Sequence, residues 1–310
     1  MNPIAPNCSC GHPPMSRRNF LGSSAAAAIA LALHETRGES VVSPPKIDIH
    51  MHLGGNFHRT GEQMITHQKN IGATFTVILP ASDADNGKSL EFVRRDPAHW
   101  ICFARETVGA DGAVKRFEQS LQQGAIGMGE LKDKVACDSP AMQEVAALAR
   151  DRDVPILLHF EEPTWNEGYV RFHRMLEKFP TVKFIGHAQT FWANINKDHK
   201  PEDLGYPKGP VTPGGLTDRW LTDYPNFYGD LSAGSGNNAL MRDPAFAADF
   251  VQRHQDKLMY GSDCPCLTGV GPTCISQTKN AAIKALGLGE KVNGKILFTN
   301  ARGLLKLKLA

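Results

Sequence analysis

The sequence predicts an α/β protein: one (β/α)8 TIM barrel, a single domain, preceded by a cleavable export signal. Three observations predict it. Eight short apolar runs recur along the chain, and helix-like segments separate them. Removing a leader leaves about 270 residues, near the ~250 typical of such a barrel. The runs are rich in Ile, Val, Leu and Phe with little strict alternation, as expected of parallel strands buried on both faces. Strands alternating with helices make βαβ units. No GxGxxG follows the first run, which argues against an open dinucleotide-binding sheet.

Composition sets the outer limits. The chain has 310 residues, of which 41% are hydrophobic and 21% charged. Those values exclude a disordered chain, a collagen-like fibre and a multi-span membrane protein. Lys plus Arg is 34 and Asp plus Glu is 32. With no basic excess to neutralise a phosphate backbone, no nucleic-acid partner is expected. Seven cysteines are too few for a disulfide scaffold of this size.

The leader comes first. Residues 16–33 read SRRNFLGSSAAAAIALAL, with Arg17 and Arg18 ahead of Asn19, Phe20 and Leu21. That is the layout of a twin-arginine export signal. Its apolar run is shorter than the ~20 residues of a membrane span. The expected leader is 1–38, cleaved near residues 30–38, which discards Cys8, Cys10 and His12. The mature chain is then expected in the periplasm or cell envelope, without a membrane span. The barrel is assigned to 46–308.

The predicted strands follow in order: KIDIHMH (46–52), TFTVILP (74–80), WICFARE (100–106), AIGMGEL (125–131), PILLHF (155–160), KFIGHA (183–188), FYGDLSA (227–233) and LMYGSD (258–263). The clearest helices are 113–123 and 140–152. Asp138 or Ser139 can cap the second, with Pro140 in its first turn. A last helix is expected over 289–308. The longest connection, Gln189 to Asn226, holds Pro201, Pro207, Pro210 and Pro213. Connections this long are usually functional, so it reads as a pocket wall or lid.

Polar residues gather at the carboxyl ends of these strands. His50 and His52 close the first and share one side, because side chains alternate along a strand. Glu130 closes the fourth, His159 the fifth, His187 the sixth and Asp263 the eighth. A barrel brings those ends around one mouth. Imidazoles plus carboxylates suit a borderline divalent ion, Zn first among them, as one or two ions. Asp48 is a candidate acceptor for an imidazole's second nitrogen or a contact at the barrel base. Arg105 suits a substrate anion or a structural salt bridge. Trp165 and Trp192 suit an apolar pocket wall or the core. Glu161 and Glu162 follow His159 at the mouth. Asp230 and Ser232 alternate on the seventh strand and shape either the pocket floor or a turn. Cys264 and Cys266 flank Pro265; they read as a soft ligand, packing or a redox pair, and Cys274 could pair with either.

DIHMH, LLHF, IGHAQ and YGSDCP, in this order, resemble the amidohydrolase superfamily of metal-dependent hydrolases. The similarity is to the group holding decarboxylases and lactone or amide hydrolases. It covers about residues 46–308, and TNARGLLKL resembles that group's last helix. The resemblance implies metal ligation by His50, His52 and Asp263, and by His159 where the site follows the one-metal pattern. It also implies His187 as a second metal's ligand or a free acid/base, and Glu130 as a bridging carboxylate. Asp263 would ligate the metal, take a proton from water, or both. Lys132, one strand period beyond Glu130, would clamp a substrate carboxylate or be an exposed surface lysine.

The expected activity is hydrolysis of a C–N or C–O bond in a small carbonyl compound (amide, lactone or ester). The alternatives are a one-metal non-oxidative decarboxylase using His187, and a catalytically silent ligand-binding barrel. The partner is a small-molecule substrate, and a homo-oligomer stays open.

Overall fold

A computed structural model describes residues 45–54, 59–200, 202–203 and 205–308. The expected leader lies outside them. Strand β1 (Ile47–Leu53) is followed by α1 (Gly61–Asn70), β2 (Phe75–Pro80), α2 (Asn86–Arg95) and β3 (Trp100–Cys102). Then come α3 (Ala113–Gln122), β4 (Met128–Leu131), α4 (Pro140–Arg152), β5 (Ile156–His159), α5 (His173–Lys178) and β6 (Phe184–His187). The chain continues through α6 (Ala188–Ala193), α7 (Leu216–Asp223), β7 (Phe227–Asp230), α8 (Ala233–Met241), α9 (Pro244–Arg253) and β8 (Leu258–Met259). It ends with α10 (Ile275–Ala285), α11 (Gly289–Gly294), a π-helical turn (Lys295–Thr299) and α12 (Asn300–Leu304).

All pairings between neighbouring strands are parallel, in two sheets ordered β1-β2-β3 and β4-β5-β6-β7-β8. Backbone bonds join the sheets at both seams. Ala104 bridges Met128, with Gly129 N donating to Ala104 O at 2.8 Å. On the other side, Ile49 N donates to Tyr260 O at 3.1 Å and Asp263 N to His50 O at 2.7 Å. The strand ends are thereby arranged around one mouth.

Burial on both faces explains the unalternating apolar strands: every residue of β1 except Leu53, and all of β2, is buried. One apolar cluster joins Ile47, Ile49, Val77, Leu79, Leu157, Ile185 and Met259 to Ala301 and Leu305. A larger one packs Met51, Ile78, Leu158, Phe160, Phe172 and Phe191 with the helices. The α4 start follows its sequence closely: Ser139 Oγ accepts from Met142 N, and Pro140 opens the helix.

Two expectations need correction. The third, seventh and eighth strands end earlier than predicted, and the fourth starts three residues later, at Met128. The 189–226 connection contains helical structure: most of α6 and all of α7 lie in it. Its middle is tied down too, since Asn238 Nδ2 donates to Pro207 O and Lys197 N to Thr212 O.

Candidate metal centre

The strand ends bring His50, His52, Glu130, His187 and Asp263 together. His50 Nε2 lies 3.1 Å from His52 Nε2. Glu130 Oε2 is 3.3 Å from His52 Nε2, and Glu130 Oε1 is 3.5 Å from His187 Nε2. Asp263 reaches His52 Nε2 at 3.5 Å and both His50 and His187 Nε2 at 3.8 Å. His50, Glu130 and His187 form one group of donor atoms within 4.8 Å of one another, and His50, His52 and Asp263 form another. The groups share His50, so they describe one focus.

The outer nitrogens settle what faces that focus. His50 Nδ1 sits 2.7 Å from Asp230 Oδ2, and His52 Nδ1 sits 3.2 Å from Leu79 O. Both partners are acceptors only, so in the neutral imidazoles the proton is assigned to Nδ1. Ser232 Oγ donates to Asp230 Oδ2 at 2.7 Å, which leaves it to accept from His187 Nδ1 at 2.8 Å. Three bare Nε2 lone pairs and two carboxylates then meet with no donor among them. Such a set is repulsive unless a cation stands in it, and its mix of imidazole and carboxylate fits a borderline divalent ion. Without one, protons do that work. Burial alone would lower the His50 pKa, yet Asp263, Asp230 and Glu130 carry it to about 10. His187, buried beside His50, is instead pushed down to about 4. Burial would raise Glu130, but His159, His52 and His50 hold it well below the usual carboxylate range.

His159 has a different place from the one expected. The β5–β6 register sets it opposite His187, yet its Nδ1 bonds Glu130 Oε1 at 2.6 Å and its Nε2 bonds Glu161 Oε2 at 2.7 Å. Both ring nitrogens face carboxylates, so it adjoins the focus through Glu130. Lys132 Nζ lies 3.9 Å from Glu161 Oε2 and 5.5 Å from the Trp165 ring centre, half-exposed near the mouth.

Two proposed substrate contacts are engaged elsewhere. Trp192 is only 2% exposed, packs on Phe191 and Phe250, and donates its indole N–H to Asp230 O at 3.1 Å. It is a core residue supporting β7 from behind. The Arg105 guanidinium pairs with Asp133 at 2.9 Å and donates to the carbonyls of Glu106 and Lys132. That is the structural ion pair rather than a free anion site. Asp48 holds backbone, accepting from His50 N at 3.1 Å and Ser262 N at 2.7 Å. The imidazole acceptor is Asp230 instead. The alternating Asp-x-Ser at the end of the seventh strand was the signal for it.

Fold and site together define an enzyme that works at the carboxyl ends of barrel strands. The amidohydrolase family pattern matches residues 95–307, and the chain belongs to that family. A twin-arginine translocation signal matches residues 14–34, so the chain carries the address for that export route. No curated protein sequence matches the chain. Solved structures share the fold at low identity. A probable 2-pyrone-4,6-dicarboxylic acid hydrolase from Acinetobacter baumannii is 16% identical, with TM-score 0.59 over 84% of this chain and 99% of its own. An amidohydrolase from Burkholderia multivorans with bound Zn is 12% identical, with TM-score 0.58 over 84% and 99%. 2,6-Dihydroxybenzoate decarboxylase from Rhizobium is 15% identical, with TM-score 0.55 over 84% and 98%. Among the described residues no helix is long and apolar enough to cross a membrane.

Proposed function

We propose that this chain is a metal-dependent hydrolase of the bacterial periplasm or envelope, cleaving a C–O or C–N bond in a small lactone, ester or amide. One observation carries the reading: three bare imidazole nitrogens and two carboxylates converge, each imidazole locked by an acceptor behind it. His50, His52, Glu130 and Asp263 would hold the cation, of the zinc class, with His187 at its edge. When bound, the ion supplies Lewis acidity toward a carbonyl and toward water. Asp263, the most solvent-facing of the set, takes the proton of the attacking water and passes it to the leaving group. Asp230 and Ser232 keep His50 and His187 in the tautomer that aims Nε2 inward. Lys132, beside Glu161 and Trp165, anchors a carboxylate on the substrate. The lactone and Zn-bound relatives named above support this choice of substrate and ion.

A second reading, non-oxidative decarboxylation, is favoured by the single focus. One ion leaves His187 as an acid/base group, with Ser232 and Asp230 behind its Nδ1 to relay a proton. Metal content per chain, measured for wild type and Glu130→Gln, followed by assays of lactones, esters, amides and aromatic acids, tests both. Loss of metal with loss of lactone, ester or amide turnover supports the hydrolase. CO2 release from an aromatic acid, with metal retained in the variant, supports the decarboxylase. A wild type that binds no divalent ion overturns both.

A further inference from the structure

Behind Asp263 lies a second group of donor atoms. His67 on α1, Cys264 just after Asp263, and Cys274 at the start of α10 place one donor atom each within 4.8 Å of the others. All three residues are buried, and His67 has 0% exposure. Neither nitrogen of the His67 ring has a hydrogen-bond partner among the described residues. A buried imidazole with both nitrogens unsatisfied is costly, and a native structure explains such a group by something that binds it. The two sulfurs are 3.6 Å apart. That is far longer than a disulfide and close to the about 3.8 Å expected between two thiolates on one tetrahedral ion with ~2.3 Å metal–sulfur bonds.

We propose that His67, Cys264 and Cys274 form a structural site for a thiophilic d10 cation of the Zn2+ class, separate from the carboxylate-rich centre. Sulfur and imidazole donors without a carboxylate select such an ion. Binding exchanges charge evenly: each thiol gives up its proton, and the dication replaces the two protons released. Burial, with Arg59 nearby, holds His67 down to about 4, so the ring offers a lone pair. Arg59 itself donates to the carbonyls of Cys264 and Cys266, fixing the loop that presents the sulfur. The cation would tie α1, the loop after β8 and α10 into one brace behind Asp263, whose own backbone is left-handed at φ 40°.

Cd2+ is the probe, added to reduced full-length protein stripped of metal. Its sulfur-to-metal charge transfer absorbs in the ultraviolet and is given only by thiolates, so the carboxylate-rich centre cannot produce it. The expected result is a saturating band with one thiolate-bound Cd2+ per chain. Cys274→Ser abolishes it, His67→Gln weakens Cd2+ binding at least tenfold, and His50→Ala keeps it. Absence of the band in reduced wild type overturns the proposal. So does a Cys264–Cys274 disulfide in protein recovered from the envelope.

Discussion

Asp230 Oδ2 lies 2.7 Å from Nδ1 of His50, and this one bond decides which nitrogen of His50 faces the cluster. The same carboxylate also accepts from the hydroxyl and backbone N–H of Ser232, so it orients His50 directly and His187 through Ser232. Asp230→Asn keeps the shape and removes the charge. Divalent-ion affinity is expected to fall about 10–100-fold, the usual effect of losing such a partner. Isothermal titration with Zn2+ measures it, with circular dichroism unchanged.

Asp263 offers a different signature. Asp263→Asn keeps an oxygen toward the focus but cannot carry a proton. The expected result is a kcat lower by about 10²–10⁴ with KM nearly constant. Steady-state kinetics on a turned-over ester or lactone reads it. Equal loss in KM would assign the residue to binding instead.

Gly261 sits where backbone must pass tightly. A Cβ there would overlap Asp230 Oδ1 and come within 2.9 Å of both His50 Cβ and Ser232 Cβ. These atoms belong to rigid, buried groups, so Gly261→Ala is expected to cost about 1–3 kcal/mol. It should also weaken metal binding, since it displaces the Asp230–His50 bond. Chemical denaturation and a Zn2+ titration on the same sample check both halves.

Arg105 and Asp133 form a buried pair, with side chains only 11% and 4% exposed. Arg105→Met leaves Asp133 unpaired, at a cost of about 3–5 kcal/mol. KM should not move. A raised KM at unchanged stability would return Arg105 to the substrate.

Acid stability has its own marker away from the centre. Burial would raise the Asp218 pKa, but hydrogen bonds from His254 at 2.7 Å and from Arg253, with the charge of Arg253, bring it from 3.8 to about 2. A carboxylate depressed in the folded state stabilises above its unfolded pKa and loses that contribution as pH falls through the folded one. Stability should therefore drop as pH falls from about 4 toward 2, and Asp218→Asn should flatten that limb. Thermal melts across this pH range test it.

The barrel was readable from its sequence because two-sided burial makes apolar runs; seven of the eight runs begin within one residue of the observed strand, and the fourth begins three residues early, at 125 rather than Met128. Strand ends were less readable. Register shifts between Asp48 and Met51 and between Met128 and Leu131 interrupt the pairing on the strands that carry His50 and Glu130. His50, His52, Glu130, His187 and Asp263 could be found because strand position alone brings them to one mouth. His159 could not be placed, because its direction depends on Glu130 and Glu161 together. Asp230 was visible as a residue but not as a partner, since 180 positions separate it from His50. His67 carried no local signal at all; only packing sets it against Cys264 and Cys274.

The seam that shuts the barrel runs through the centre itself. Asp263 N bonds His50 O, and Ser262 Oγ bonds the same carbonyl from 212 residues away. First and last donors are thus neighbours only in a finished barrel, and a half-made chain owns no complete ligand set. With the proposed ion bound there, ion capture and ring closure would be one cooperative event, each strengthening the other by mass action. For a protein addressed to a route that moves folded cargo, a loaded ion would certify that the ring had closed before departure.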